Sequence, residues 1–233
     1  MNSSEKFSEY FIQIKLIWEK LDNPNRIIPF CTPLILNPKF VIIGTNHSDN
    51  FHPSDEDENN RIADLFSNQL STEEHTFLDH KHPFAIGLRE IVSEMQKDYK
   101  EFRITKEWLG TNRCAIQTNR KGLGDKILKH PEYEDCEKKM DNLLKDFIRF
   151  IKPKNIILTG KHACGLYYPD KNLKDMKCKK LLLDKESAET SNLIPIWHLS
   201  ELWRQGGRYD SESFKEKIIK RLKDAIEDGL CEL

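Results

Sequence analysis

The chain has 233 residues, a formal net charge of −1, and 38% hydrophobic and 32% charged residues. One large domain of this length buries roughly 70–75% of its unfolded chain's surface, so its folding requires no disulfide or metal. The balanced charge excludes nucleic-acid binding through a whole-protein field, and such a partner would need a local basic surface. No stretch approaches the roughly 20 apolar residues of a membrane span, so we expect a soluble protein without membrane contact.

The cysteines are scattered, with no Cys-x-x-Cys pair. This spacing argues against zinc ribbons and iron–sulfur ligation. Because no secretory signal is recognisable, we expect reduced thiols and a cytoplasmic location. The six thiols are Cys31, Cys114, Cys136, Cys164, Cys178 and Cys231.

The first two predicted elements are a helix and the central strand. Residues 5–22 carry apolar side chains at i, i+3 and i+4 spacing, which predicts an amphipathic helix that packs one face on a core. Residues 40–43 are an unbroken apolar run, typical of a strand buried on both faces. The run ends at Gly44, and ligands of open parallel sheets bind beyond such strand ends. The polar residues 45–49 are therefore expected at the mouth of a site.

Two polar segments follow the central strand. The acidic run at 55–58 has two interpretations, a site for a divalent cation and a solvated loop. We prefer the loop, because such runs are usually solvated. His75, His80 and His82 cluster beside Asp79, with a spacing that fits no structural zinc pattern. We expect this cluster to belong to a loop that lines the site.

The rest of the chain alternates predicted helices with short apolar strands. This alternation predicts one domain over residues 1–233, an α/β/α sandwich of three layers around a mostly parallel, roughly four-stranded sheet. The basic segment 171–180 is expected to be disordered, with a solvated face more usual for it than a DNA track. Helices are predicted at 85–99, 136–151 and from a capping box at Ser213, with strands near 108–112, 155–159, 181–183 and 194–197.

Polar residues follow four of the predicted strands in a distinctive order. These are Gly44-Thr45-Asn46, then Asn112, then Gly160-Lys161-His162-Ala163, then His198-Leu199-Ser200. The order and spacing resemble the uracil-DNA glycosylase superfamily. Its members carry Gly-x-Asn-Pro-Gly or Gly-Gln-Asp-Pro-Tyr, an asparagine, Gly-Lys-x-Ala and His-Pro-Ser at the corresponding places. The resemblance covers about residues 27 to 220 and is closest to the mismatch-specific and single-strand-selective branches.

The chain departs from the family pattern at two places. His47-Ser48 stands where the family has Pro-Gly or Pro-Tyr, and Leu199 stands where it has proline. Both departures lie next to positions to which the resemblance assigns a catalytic role, Asn46 and His198. The target implied is therefore uracil or another altered pyrimidine, and an unusual base is at least as well supported as uracil.

The resemblance implies a monomeric DNA glycosylase that hydrolyses an N-glycosidic bond without cofactor or metal, after the nucleotide is flipped from the stack. Asn46 would hold the attacking water, and His198 would donate a hydrogen bond to the departing base. Asn112 would read the pairing edge of the base, because an amide both donates and accepts. Base-binding residues would include Thr45, His47 and either Phe77 or Phe84; DNA-binding residues would be Ser48, Lys161, Ser200, Arg204 and Arg208.

Each residue also has a plainer interpretation. Asn46 and Asn112 are common turn residues, a single histidine such as His198 is most often a core residue, and Phe84 is equally suited to a core. A catalytically silent DNA-binding module with the same fold is the main alternative function. An unrelated α/β hydrolase or nucleotide-binding enzyme is disfavoured, because Gly-x-Ser-x-Gly, a P-loop and Gly-x-Gly-x-x-Gly are all missing from the sequence.

Overall fold

The computed structural model describes residues 3–21, 32, 34–45, 83–114, 129–199 and 211–233. Within these residues, five strands form one sheet in the order β2-β1-β3-β5-β4. The first four in that order are parallel, and β4 pairs antiparallel with β5 at the edge. The strands are β1 Phe40–Gly44, β2 Trp108–Asn112, β3 Asn155–Thr159, β4 Lys179–Leu182 and β5 Thr190–Ile196.

Helices cover both faces of the sheet. They are α1 Ser3–Trp18, α2 Pro83–Met95, α3 Tyr133–Ile151, α4 Gly160–Cys164 and α5 Ser211–Glu227. Helices α1 and α3 pack together, as do α2 and α5. A core cluster with residues of α1, α3 and α4 lies on one face, and a second with residues of α2 and α5 lies on the other. The predicted three-layer α/β/α architecture is confirmed, with five described strands where roughly four were expected.

The central strand shows why the sheet is buried on both sides. Val41 and Ile43 belong to the core beneath α1 and α3, whereas Phe40 and Ile42 belong to the core beneath α2 and α5. Successive side chains of a strand point to opposite faces, so an unbroken apolar run serves both cores. All five residues of β1 are buried.

Asn155 is a buried polar residue at the start of β3. Its side-chain amide donates to the carbonyls of Lys39 and Glu232, while its Oδ1 accepts from the Glu232 N–H and from the Asn192 side chain. These bonds satisfy an otherwise costly buried amide and fix the C-terminal segment to the sheet.

Several sequence-based boundaries were wrong, including the start of α3, which lies at Tyr133 and not at residue 136, and the start of β5, which lies at Thr190 and not at residue 194. Residues 171–180, expected to be disordered, contain a 3₁₀ helix, Leu173–Asp175, and the start of β4 at Lys179. Helix α2 ends at Met95, so Tyr99 lies beyond it, and α5 begins at Ser211, two residues before its predicted start. The strand predicted near 181–183 is the edge strand β4, which begins earlier, at Lys179, because its two exposed lysines gave no apolar pattern to mark the start.

Candidate functional site

The site is defined by the carboxyl ends of the four parallel strands, which lie side by side in the order β2-β1-β3-β5. Asn112 ends β2, Thr45 follows β1, Gly160 follows β3, and His198 lies two residues beyond β5. Four short segments that are distant in the chain are thus brought to one edge of the sheet. This is the edge at which α/β proteins bind their ligands.

Asn112 is held against the end of β1. It is in register with Gly44, and its side chain is almost fully buried, with 5% exposed. A Cβ atom on Gly44 would lie 2.5 Å from the Asn112 Oδ1, so only glycine leaves room for this amide. The backbone N–H groups of Arg113 and Cys114 donate to the carbonyls of Gly44 and Thr45, which locks the two strand ends together.

His198 is held against the end of β3. Gly160 has a φ of +83°, and a Cβ there would lie 3.1 Å from both Cβ and Cδ2 of the histidine. Phe84 of α2 meets the imidazole edge to face, with 5.8 Å between ring centroids. His198 and Phe84 are both half-buried. The imidazole is therefore placed by a glycine on one side and an aromatic ring on another.

The separation of the two strand ends that lead to Asn112 and His198 follows from the spacing of the sheet. Neighbouring strands are about 4.8 Å apart, so the ends of β2 and β5 lie about 14 Å apart, with β1 and β3 between them. Asn112 shares the face of Trp108, which packs into the core beneath α2 and α5, and Phe84 packs against the same core. Asn112 and the Phe84–His198 pair thus lie on one side of the sheet at its carboxyl edge.

Two further positions of the predicted motifs are described. Lys161, on the first turn of α4, is exposed to solvent. Leu199 is fully buried in the core beneath α2 and α5. Leu199 therefore contributes to the core directly after His198 in the chain.

The remaining predicted site residues lie outside the part of the chain that the structure describes, and so do the acidic run and the histidine cluster. Those site residues are Asn46, His47, Ser48, Phe77, Ser200, Arg204 and Arg208. Their assignments stay predictions.

Two arginines near the site were not singled out from the sequence. Arg221 of α5 donates to the carbonyls of Pro195 and Leu173 and stacks 4.5 Å from the Trp197 ring centroid, directly before His198. Arg113, directly after Asn112, forms a forked pair with Asp141 of α3. The sequence did carry one indication of this pair. Glu137 and Asp141 are acids four residues apart beside the apolar stripe of α3, so they share one face of the helix and can bind the same cation.

The Cys164 thiol near the site is unsuited to nucleophilic chemistry. Burial raises the pKa of Cys164, on α4, to about 12, so this side chain stays protonated at neutral pH. The five cysteines within the described residues form no disulfide with one another, and Cys31 lies outside those residues. Within the same residues, no group of three His, Cys, Asp or Glu side chains is placed to hold a metal ion.

Across the described ranges, no helix combines the length and the apolar character needed to cross a bilayer. Comparison with models of protein families gives no match. Comparison with curated proteins likewise gives no match. The case for function therefore rests on the residues at the carboxyl edge of the sheet.

Proposed function

We propose that this protein is a DNA glycosylase, which hydrolyses the N-glycosidic bond of uracil or another altered pyrimidine in DNA. The observation that carries the proposal is the placement of Asn112 and His198 at one edge of the sheet. Each is backed by a glycine of the neighbouring strand end, at a contact a side chain would obstruct. The sequence motifs around these residues resemble those of the uracil-DNA glycosylase superfamily.

The proposed pocket holds one flipped base between the two side chains. Asn112 is nearly buried and carries both an amide donor and an amide acceptor, so it would favour bases whose pairing edge offers a matching acceptor and donor. Phe84 offers an aromatic surface beside His198, and contacts in the pocket would offset the few kcal/mol needed to flip a nucleotide.

The proposed chemistry is hydrolysis: the base departs with the bonding electrons, water bonds to the sugar carbon, and the proton that the water loses neutralises the departed base. His198 donates a hydrogen bond to the base oxygen on which negative charge develops, and a placed donor of this kind is worth ~3–4 kcal/mol. Asn46, by the resemblance, orients the water. An amide has no pKa suited to general-base catalysis, so the transition state would be dissociative and oxocarbenium-like.

The partner in this proposal is DNA, bound by a monomer in the cytoplasm. A net charge of −1 gives no long-range attraction to DNA. Binding would then depend on local cations, among which the exposed Lys161 stands at the same sheet edge as His198.

The test is a screen of the purified protein on oligonucleotides that each carry one modified pyrimidine. We expect release of the free base and an alkali-labile abasic site. His198→Ala should lower turnover about 100- to 1000-fold with little change in DNA affinity. Asn46→Ala should also lower turnover strongly. Asn112→Ala should reduce discrimination between bases, while the exposed Asn172→Ala, an amide at the start of a 3₁₀ helix, should not.

The same screen separates the enzyme from a catalytically silent DNA-binding module. Salt-sensitive binding without base release on any substrate would favour the module. Unchanged turnover in both His198→Ala and Asn46→Ala would remove the assignment of the catalytic residues.

A further inference from the structure

Behind the candidate site lies a group of charged side chains, which we call the Arg113 cluster: Arg113, Glu137, Asp141 and His162. The Nε and Nη2 atoms of Arg113 each donate to one carboxylate oxygen of Asp141, both at 2.7 Å. Its Nη1 donates to the His162 backbone carbonyl at 2.8 Å. The imidazole of His162 contacts Glu137 through Nε2 at 3.0 Å, and Glu137 lies 3.8 Å from the Arg113 Nη2.

The cluster differs from the surface ion pairs of this protein in its burial. The side chains of Arg113 and Asp141 are 12% and 16% exposed, whereas the Arg149–Asp146 pair on the same helix is 57% and 69% exposed. Exposed ion pairs constrain the positions of their side chains only weakly, because solvent screens the charges and the side chains remain mobile. A forked arginine–carboxylate pair that is largely buried fixes both distance and direction.

The charges inside the cluster support one another. Burial by itself would lower the pKa of Arg113, but the hydrogen bonds to Asp141 and the negative charges nearby raise it above its ordinary value. A hydrogen bond with His162 lowers the pKa of Glu137, and the positive charge of Arg113 lowers it further. Arg113 and Glu137 therefore stay ionised at neutral pH.

The cluster connects elements that carry the two halves of the site. Arg113 follows Asn112 directly, and its backbone N–H donates to the Gly44 carbonyl. Through its side chain, the same residue binds α3 and the His162 carbonyl of α4. Helix α4 begins at Gly160, which touches His198. One guanidinium thus bridges the end of β2, which bears Asn112, and the turn that backs His198.

The guanidinium packs closely against Gly165, at the end of α4. A Cβ atom on this residue would lie 2.7 Å from the Arg113 Nη1 and 3.1 Å from the His162 carbonyl oxygen that the guanidinium binds. Gly165 has a φ of −55°, which any residue adopts, so the need for glycine here is steric. The absence of a side chain at Gly165 leaves the space that the Arg113 guanidinium occupies.

We propose that Arg113 is a positioning residue, which holds Asn112 and the β3–α4 turn at the separation that the base pocket requires. It acts from the opposite face of the sheet and touches no substrate. This inference rests on the proposed function for its kinetic consequence, but the placement of Asn112 is measurable without any activity.

The experiment compares conservative changes in the cluster with the same changes in the exposed pair on α3. Arg113→Lys removes the fork, and Asp141→Asn removes the charge that the fork binds. Arg149→Lys and Asp146→Asn are the matched controls. A third route, Gly165→Ala, keeps every charge and displaces the guanidinium, which covers the case in which Arg113→Lys fails to fold.

Two readouts are taken on folded protein below its melting temperature. The first is the NMR signal of the Asn112 side-chain amide, which should shift in the cluster variants and stay in place in the controls. The second is base release, for which kcat should fall about 10- to 100-fold at similar KM, as expected for a misplaced group. The controls should remain within about 2-fold of the unaltered protein.

The outcomes are distinguishable. Folded Asp141→Asn and Gly165→Ala variants with an unshifted Asn112 signal and unchanged kcat would overturn the positioning role, even if their stability is lower. If the unaltered protein releases no base from any substrate, the proposed function fails. The Asn112 signal then still decides whether Arg113 positions that side chain.

Discussion

Gly160→Ala tests how His198 is held. The substitution places a Cβ atom 3.1 Å from two carbon atoms of the imidazole side chain, which is closer than ordinary van der Waals contact. It also forces alanine to a φ of +83°. The histidine or the turn that bears residue 160 must therefore move by a few tenths of an ångström.

The matched control is Gly229→Ala, after the end of α5. Gly229 has a similar φ of +67°, but a Cβ there would meet nothing within 4 Å. The left-handed backbone costs an alanine about 1–2 kcal/mol, offset by about 0.4–1 kcal/mol because alanine is less free in the unfolded chain. Gly229→Ala should thus destabilise by about 1 kcal/mol. Gly160→Ala should add about 1–3 kcal/mol of overpacking against His198.

Urea unfolding of both variants measures the difference in stability, and the NMR signals of the His198 ring report its displacement. If the protein is a glycosylase, base release should fall at least 10-fold in Gly160→Ala and remain unchanged in Gly229→Ala, since a catalytic donor tolerates little misplacement. Equal destabilisation in both variants, together with unshifted His198 signals, would refute the idea that Gly160 fixes the imidazole.

Three further changes probe the site and the fold. Gly44→Ala should displace the Asn112 amide, whose Oδ1 would lie 2.5 Å from the new Cβ, and should reduce discrimination between bases. The loss of stability should be less than about 1 kcal/mol, because the amide is the movable end of a side chain. An unshifted Asn112 NMR signal would contradict this prediction. Asn155→Ala should destabilise the protein by about 3 kcal/mol in urea, because several buried partners lose their hydrogen bonds; a loss below 1 kcal/mol would count against that account. The folded-state pKa of Glu137 lies below its ordinary value of 4.5, mainly through the hydrogen bond with His162, so its contribution is present above pH 4.5 and is lost as pH falls through the folded pKa. Urea titrations from pH 6 to 3 should show that Glu137→Gln loses less stability on acidification than the unaltered protein, and parallel losses would contradict this.

The site shows how far local sequence can be read. That Asn112 and His198 end or follow strands was predictable, because apolar runs that stop at polar residues mark strand ends in α/β proteins. Which strand lies beside which was not, since the order β2-β1-β3-β5 depends on pairing between distant segments. The glycine contacts at Gly44 and Gly160 were also hidden, because they involve side chains from other strands.

The fold class, the buried strands and the apolar faces of the long helices can be read from the amino-acid order alone, because solvent exclusion leaves a periodic pattern along the chain. The contacts of Arg113 with Asp141 and the His162 carbonyl, and the start of β4 at two lysines, are visible only in the folded chain. Ion pairs between distant segments and exposed polar residues at a strand end leave no such pattern. Their positions follow from how the helices and strands pack, and packing is a property of the whole fold.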